Sequence, residues 1–373
     1  MKTLFLCLVW IGCMAPLYGS NVEYKIKHTG DFVFFGDQNP VIDMQVFNHY
    51  RSEAVQYDIK CTVKSDNGDI ISHLRQQLSI LPGDSASIAF SFYSPEPGFY
   101  KVLLEDGDKL IKELNVCYEP EKMYTLYPDN TRPDLFWDNI GKRSVYKFPQ
   151  YKVTRIKDDR AFHRDAYKVT IKCSGGDILQ GYYFVPLKTD GVVARARLLY
   201  GGRVDVEKER RYMGNTIDFI LPVDTVAVKD SLFYMNTIFK YLAAVEFLAS
   251  RNEVGAGKVF AVGEGFAGGI ALAASVIDTV RIKGVAVYNP FIEETGLKGG
   301  SNLFLGRITP LLKSPVLFGM GLQDSIASPR RMFDAYNVVG SYKEYYIFPF
   351  SAKEEHPNWD ALKNNFLQKF VIK

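Results

Sequence analysis

Along the first third of the chain, apolar and polar positions alternate with a period of two. "PVIDMQVFN", "AVQYDIKCTV", "SASIAFSFY" and "FYKVLLE" each put every second side chain on one face, as half-buried strands do. Between them, "SDNG", "LPGD", "PEPG" and "EDGD" supply the Gly, Pro, Asn and Asp that tight turns use. No amphipathic helical stretch interrupts this region. The pattern predicts an immunoglobulin-like β-sandwich over 21–119.

The texture changes at "CYEPEKMYTLYPDNTRPDLFWDN", a crossing rich in proline and aromatic residues, where "PDLFWDNIGK" predicts a helix with Pro133 in its first turn. Beyond it, strands alternate with helices. "AYKVTIKCS" and "ILQGYYFVP" predict an antiparallel pair, and "VARARLLYGG" a further strand. Over 230–250 the apolar residues Phe233, Ile238, Tyr241, Leu242, Val245 and Leu248 recur at helical spacing. Strand "KVFAVG" leads into helix "AGGIALAASVID", and strand "IKGVAVYNP" follows. Strand "SPVLFGMG" precedes helix "PRRMFDAYNVV", and strand "KEYYIFPF" precedes "PNWDALKNNFLQKFV". This beat predicts an α/β domain over 120–373, a mostly parallel sheet with helices on both faces. Ligands of such sheets bind at the carboxyl ends of the strands.

Composition narrows the function classes. The chain has 373 residues, enough for two domains, and is 47% hydrophobic and 23% charged, as folded globular proteins are. A net charge of +3 on scattered Lys and Arg gives no footprint for nucleic acid. "MKTLFLCLVWIGCMAPLYGS" has one Lys, then an apolar run, then small residues, the layout of a secretory signal over 1–20 with cleavage near Gly19 or Ser20. The run is short for a membrane span and no later segment approaches spanning length, so the expected location is periplasmic or extracellular, with no transmembrane segment. Gly12 before Cys13 suits a lipid anchor, but Trp10 and Ile11 fit one poorly.

Signal removal leaves Cys61, Cys117 and Cys173, which is no disulfide framework. Cys61 shares an apolar face with Tyr57, Ile59 and Val63. Cys117 falls opposite Leu114, Val116 and Tyr118, so a bridge between Cys61 and Cys117 is not expected. No metal-ligand spacing occurs, and neither a metal nor a cofactor is expected.

The candidate chemistry lies at "AVGEGFAGG", Ala261 to Gly269, a strand running into a glycine-rich turn and a small-residue helix. That is the layout of G-x-Ser-x-G, the nucleophile elbow of an α/β-hydrolase. Yet the central residue is Gly265, with neither hydroxyl nor thiol. In this fold the acid and the histidine follow the nucleophile in the chain, each in a loop after a strand. "MGLQDS" puts Asp324 and "FPFSAKEEHPNW" puts His356 in such loops; the carboxylate would orient the imidazole as general base. An Asp after a strand is commonly a turn former, and a lone His before Pro commonly does nothing. Order and spacing together single them out. His163, the other histidine of the domain, precedes the expected sheet.

Other readings of the same stretch are weaker. "GEGFAG" matches dinucleotide glycine spacing, but the next strand ends in Asn289 rather than an acid, and the turn is in mid-domain. Glu264 is a conceivable base or nucleophile, although its position normally points away from the site toward solvent or a helix. Ser275 is expected to pack within its helix, and Ser351 sits in the histidine loop. Tyr288, Phe291 and Phe304 offer either a glycan-stacking surface or ordinary core.

With these motifs on the page, the chain resembles the acetyl xylan esterase and cephalosporin-C deacetylase family of carbohydrate esterases, in its exported two-domain bacterial form. "RPDLFWDN" is similar to the motif that opens the family's esterase domain, and "LLYGG" to its oxyanion strand. The block from "FKYLAAVEFLAS" through "GEGFAGGIALAASVID" tracks its helix–strand–elbow–helix, and "SPVLFGMGLQDSIASPRRMFDAYN" its acid loop. The resemblance implies an α/β-hydrolase domain and places Gly265 at the nucleophile, Asp324 at the acid and His356 at the histidine, in a loop about three residues longer than usual. It places Tyr200 and Phe266 where backbone N–H groups form the oxyanion hole. The departures cluster in the site: serine is glycine, the His-Gly before the oxyanion tyrosine is Leu198-Leu199, and Arg-Gly-Gln-Gly has no counterpart in "DFILPVDTVAVKD".

The resemblance implies a ligand that is an acetylated carbohydrate or a small ester, and allows a homo-oligomer. Two readings remain: a catalytically impaired pseudo-esterase that binds such a ligand, or an active ester hydrolase with a non-standard nucleophile.

Overall fold

The period-two segments form strands in the computed structural model, which describes residues 21–370 except 28, 37–38, 94–95, 126–149, 159, 161, 173–177, 189–191, 226–230, 255–258, 293–304 and 353–354. The leader 1–20, the helix expected at Pro133, Cys173 and Phe304 therefore lie outside the described residues. The chain divides into two compact units, one running to Val116 and one from Cys117 onward that also takes in Glu96–Phe99.

The first unit is built of strands: β1 (Val22–Lys27), β2 (Val33–Phe34), β3 (Val41–Asn48), β4 (Val55–Ser65), β5 (Ile70–Ile80), β6 (Ser85–Ser91), β7 (Gly98–Asp106) and β8 (Lys109–Tyr118). They form a three-stranded sheet, β1-β3-β6, and a five-stranded sheet, β2-β8-β7-β4-β5. Alternation decides which side chains go in. Ile42, Met44 and Val46 of β3, Ile59, Cys61 and Val63 of β4, and Val102 and Leu104 of β7 are all 0% exposed. Each such side chain contributes roughly 1.5–3 kcal/mol by leaving water. Cys61 and Cys117 are both buried and form no disulfide. Cys117 is 0% exposed, as is its neighbour Val116.

The second unit carries a nine-stranded sheet. Its elements are β9 (Gln150–Arg155), β10 (Arg164–Lys172), β11 (Ile178–Pro186), β12 (Val193–Tyr200), α1 (Val206–Arg211), β13 (Thr216–Val223), α2 (Ser231–Ala249), β14 (Val259–Glu264), α3 (Gly265–Ile277), β15 (Ile282–Tyr288), β16 (Val316–Gly321), α4 (Pro329–Asn337), β17 (Lys343–Phe348) and α5 (Trp359–Gln368). The strand order is β17-β16-β15-β14-β12-β13-β11-β10-β9. The stretch from β13 through β12 to β17 is parallel, and β11, β10 and β9 continue it antiparallel. The sheet thus begins earlier than the sequence pattern indicated, and His163 falls between two of its strands rather than before them. β9 escaped notice because five of its six side chains, from "QYKVTR", are exposed; pairing to β10, not burial, holds it in place.

One topological fact positions the site. β12 has β13 on one side and β14 on the other, so the chain leaves β12, adds β13, and returns through α2 to β14. The order reverses there, which opens a crevice outside the carboxyl ends of β12 and β14. Tyr200 ends β12, and Gly265 follows β14.

The two faces of the sheet differ. On one, α2 packs by the Tyr241 hydroxyl, which donates to Ala196 O at 2.6 Å, and α3 is buried along Phe266–Ser275. On the other, Phe260, Val262, Tyr288 and Leu317 meet Trp359, Phe366 and Leu367 of α5. Beside that apolar cluster lies an ionic clamp. Asp218, 0% exposed, accepts from Arg195 Nε at 2.6 Å and Nη2 at 2.9 Å, from Arg164, and from Thr216 Oγ1 at 2.8 Å. Burial alone would raise its carboxyl, but Arg195 and Arg164 hold it well below the usual range. Arg195 also donates to Asp360 and Asn364 of α5, which ties the helix to the sheet.

Candidate active site

At the end of β14 the backbone turns sharply into α3, and Gly265 takes φ +52°, in the left-handed region that costs a residue with a Cβ about 1–2 kcal/mol. A Cβ placed there would meet only the Phe291 ring, at 3.7 Å, an ordinary contact. Space therefore admits a serine; backbone strain opposes it. The elbow is tight elsewhere: a Cβ on Gly263 would lie 2.4 Å from Ala267 O. Phe291 closes the turn from above, its N–H donating to Gly265 O at 3.0 Å.

The two positions matched to the oxyanion hole are close together. The Tyr200 and Phe266 rings have centroids 4.4 Å apart. Phe233 and Tyr234 of α2 stack or tilt onto Phe266 at 5.8 and 5.3 Å, so aromatic side chains fill the space beside the elbow.

Asp324 is 3% exposed and follows β16 by three residues. Its Oδ1 accepts from the N–H groups of Ile326 at 2.7 Å and Ala327 at 2.9 Å. Its Oδ2 accepts from Asn289 Nδ2 at 2.7 Å. Asn289, which the sequence reading passed over as a non-acidic strand end, is the hub of these loops. It is 2% exposed, sits at φ +42°, donates also to Ala352 O at 2.9 Å, and accepts from Gly321 N at 2.7 Å. A single amide thus links the acid loop to the histidine loop. The one sequence signal was its place before Pro290 at a strand end.

His356 is half-buried, and its ring stacks on Phe348 with centroids 4.4 Å apart. Its Nδ1 accepts from Asn358 N–H at 3.2 Å. A neutral imidazole in that arrangement carries its proton on Nε2, the reverse of the tautomer in which Nδ1–H donates to an acid and Nε2 takes a proton. Burial also lowers its pKa, which favours the neutral ring. Among the described residues no hydrogen bond joins Asp324 to His356.

The remaining candidates fall as follows. Ser275 is fully buried and donates to Ala271 O at 2.6 Å, so it packs within α3. Ser351 is half-buried, and its carbonyl accepts from Gln323 N–H at 3.0 Å. Tyr288 is 0% exposed and offers no stacking surface to solvent. Glu264 faces α5 and the loop before it. Desolvation and the neighbouring Glu355 carboxyl push its pKa up to about 7 against the pull of Lys363 and Arg197. No cluster of three or more metal-ligating side chains occurs among the described residues, and none of their helices is long and apolar enough to cross a membrane.

Comparison with known proteins gives this arrangement a context. Residues 303–370, from the approach to β16 through α5, match the model of the acetyl xylan esterase (AXE1) family. The acetyl xylan esterase of Paenibacillus sp. R4 superposes with a TM-score of 0.56 at 19% identity, covering 65% of this chain and 97% of that one. Acetyl xylan esterase 1 of Thermoanaerobacterium sp. JW/SL YS485 gives 0.57 at 15% identity, covering 68% and 98%. At these identities the structural likeness is one of fold. The resemblance read from the motifs therefore holds: the chain is acetyl xylan esterase-like, in the sequence of its C-terminal segment and in its mixed α/β fold.

Proposed function

We propose that this is an exported relative of carbohydrate esterases that binds an acetylated saccharide or small ester but forms no acyl-enzyme. Gly265 carries the reading. Acyl transfer through an elbow needs an oxygen or sulfur nucleophile at that residue, and glycine presents only hydrogen. The positive φ at Gly265 supports its place at the elbow, because that is where such strain is normally stored. Three further features support loss of the chemistry. Asp324 is spent on Asn289 and its own turn, His356 Nδ1 is an acceptor, and aromatic rings crowd the oxyanion positions.

The ligand class follows from the names of the similar proteins, which are acetyl xylan esterases. The signal-like leader over 1–20 supports a periplasmic or extracellular location, and the two sheets of the first unit support an immunoglobulin-like sandwich. Incubation with acetylated xylan tests the reading. The protein is expected to be retained by the polymer while no acetate is released. Acetate release at enzymatic rates would favour the active hydrolase with another nucleophile.

A further inference from the structure

On the α5 face of the sheet, next to the empty nucleophile position, lies a group of polar side chains that the hydrolase motif does not use. Glu264 and Tyr288 are register partners at the ends of β14 and β15. Tyr288 points toward α5, against Phe348 at 5.6 Å and Trp359 at 5.5 Å. Its hydroxyl is buried and has no hydrogen-bond partner, although it is near enough to Glu355, Ser351 and the His356 backbone to feel them. A buried, unpaired hydroxyl is destabilising unless something fills the valence.

Glu264 keeps solvent access yet is crowded enough for its carboxyl to be desolvated, as in the lining of a cleft. Of the charged groups around it, Glu355 acts on it most strongly. The cations in reach are already engaged. Lys363 of α5 donates to Asp360 at 3.0 Å and to Glu355 at 3.4 Å, and Arg197 of β12 pairs with Glu209 of α1 at 3.0 Å. His356, in the same loop as Glu355, is held neutral by burial. With its pKa pushed up to about 7, the Glu264 carboxyl is part protonated near neutral pH.

We propose that Glu264, Glu355 and Tyr288 form a binding site for the hydroxyl groups of a neutral sugar beside the vacant elbow. This rests on the ligand-binding reading above and assigns residues to it. The chemistry selects the ligand class. A carboxyl pair and a phenol offer both donors and acceptors, as vicinal hydroxyls do. A cation would meet Lys363 and Arg197, and an anion would meet the carboxylates. A sugar hydroxyl donating to Glu264 favours its carboxylate form, so binding near pH 7 releases a fraction of a proton.

Calorimetric titration of the full-length protein with acetylated and unacetylated xylotriose tests this, at pH 7 in two buffers of different ionisation enthalpy. The wild type is expected to bind with proton release. Glu264→Gln is expected to abolish the release and weaken binding about tenfold. Tyr288→Phe, which removes only an unpaired hydroxyl and keeps the ring in the core, is expected to weaken binding severalfold while leaving the melting temperature in place. Binding by both variants with wild-type affinity and wild-type proton release overturns the site and leaves the ligand-binding reading standing. No binding of either saccharide by the wild type overturns both. Rapid acetate release together with proton-linked binding sinks the pseudo-esterase reading and supports the site.

Discussion

The two faces of the central sheet are built on opposite principles. The α3 face is neutral and tight: a buried helix, aromatic rings beside it, and glycines where backbone meets backbone. The α5 face combines an apolar cluster with charge, Asp218 buried between two arginines and Glu264 partly desolvated beside Glu355. Stability on the first depends on shape and on the second on charge balance. On the proposed reading the machinery of an esterase would sit at the junction of the two, where Gly265 stands at the end of β14.

The contrast can be broken from either side. The largest effect is expected at the clamp. Asp218→Asn leaves Arg164 and Arg195 buried without their counter-charge and should cost about 3–5 kcal/mol in urea unfolding, because removing one partner strands the other. On the tight face, Gly263→Ala drives a Cβ to 2.4 Å from Ala267 O and should cost about 1–3 kcal/mol, with neighbouring backbone forced to move. Gly265→Ser meets no such clash, only the strain of φ +52°, and should cost about 1–2 kcal/mol in the same assay. A neutral result at Gly263 together with a severe one at Gly265 would invert the assignment of space and strain.

The smallest effect is a pH slope. Glu264 has a pKa of about 7 in the fold against 4.5 unfolded, so the folded state holds the proton more tightly. Its contribution is fully present below pH 4.5 and is lost as pH rises toward 7. His356 acts in the opposite sense: its lowered pKa makes stability fall as pH drops below about 6.5. Melting curves across this range should show Glu264→Gln removing part of the loss on the way up. An unchanged pH profile in that variant would remove Glu264 from the account.

Much of the second unit was legible because its strands and helices carry strong periodicity, and the elbow because glycine spacing is local. β13 was not. "TIDFILPV" is buried throughout except Pro222, but Asp and Pro are residues that strands disfavour. The arginines of "VARARLLY" looked like ordinary alternation, and only the fold shows that Arg195 points into a clamp. Asn289 and the pairing of Glu264 with Glu355 were invisible for a different reason. They join residues far apart in the chain, and no spacing rule encodes such a meeting. Asp324 and His356 follow β16 and β17, yet chain order carries no information on whether the two side chains touch.

The central claim, that the elbow is empty of chemistry, meets its most direct test in pre-steady-state hydrolysis of an aryl acetate. The wild type is expected to show no burst and no turnover above background. Gly265→Ser is expected to recover at most slow acylation, since His356 and Asp324 are not joined. A wild-type burst followed by turnover, abolished by His356→Ala, would contradict the account.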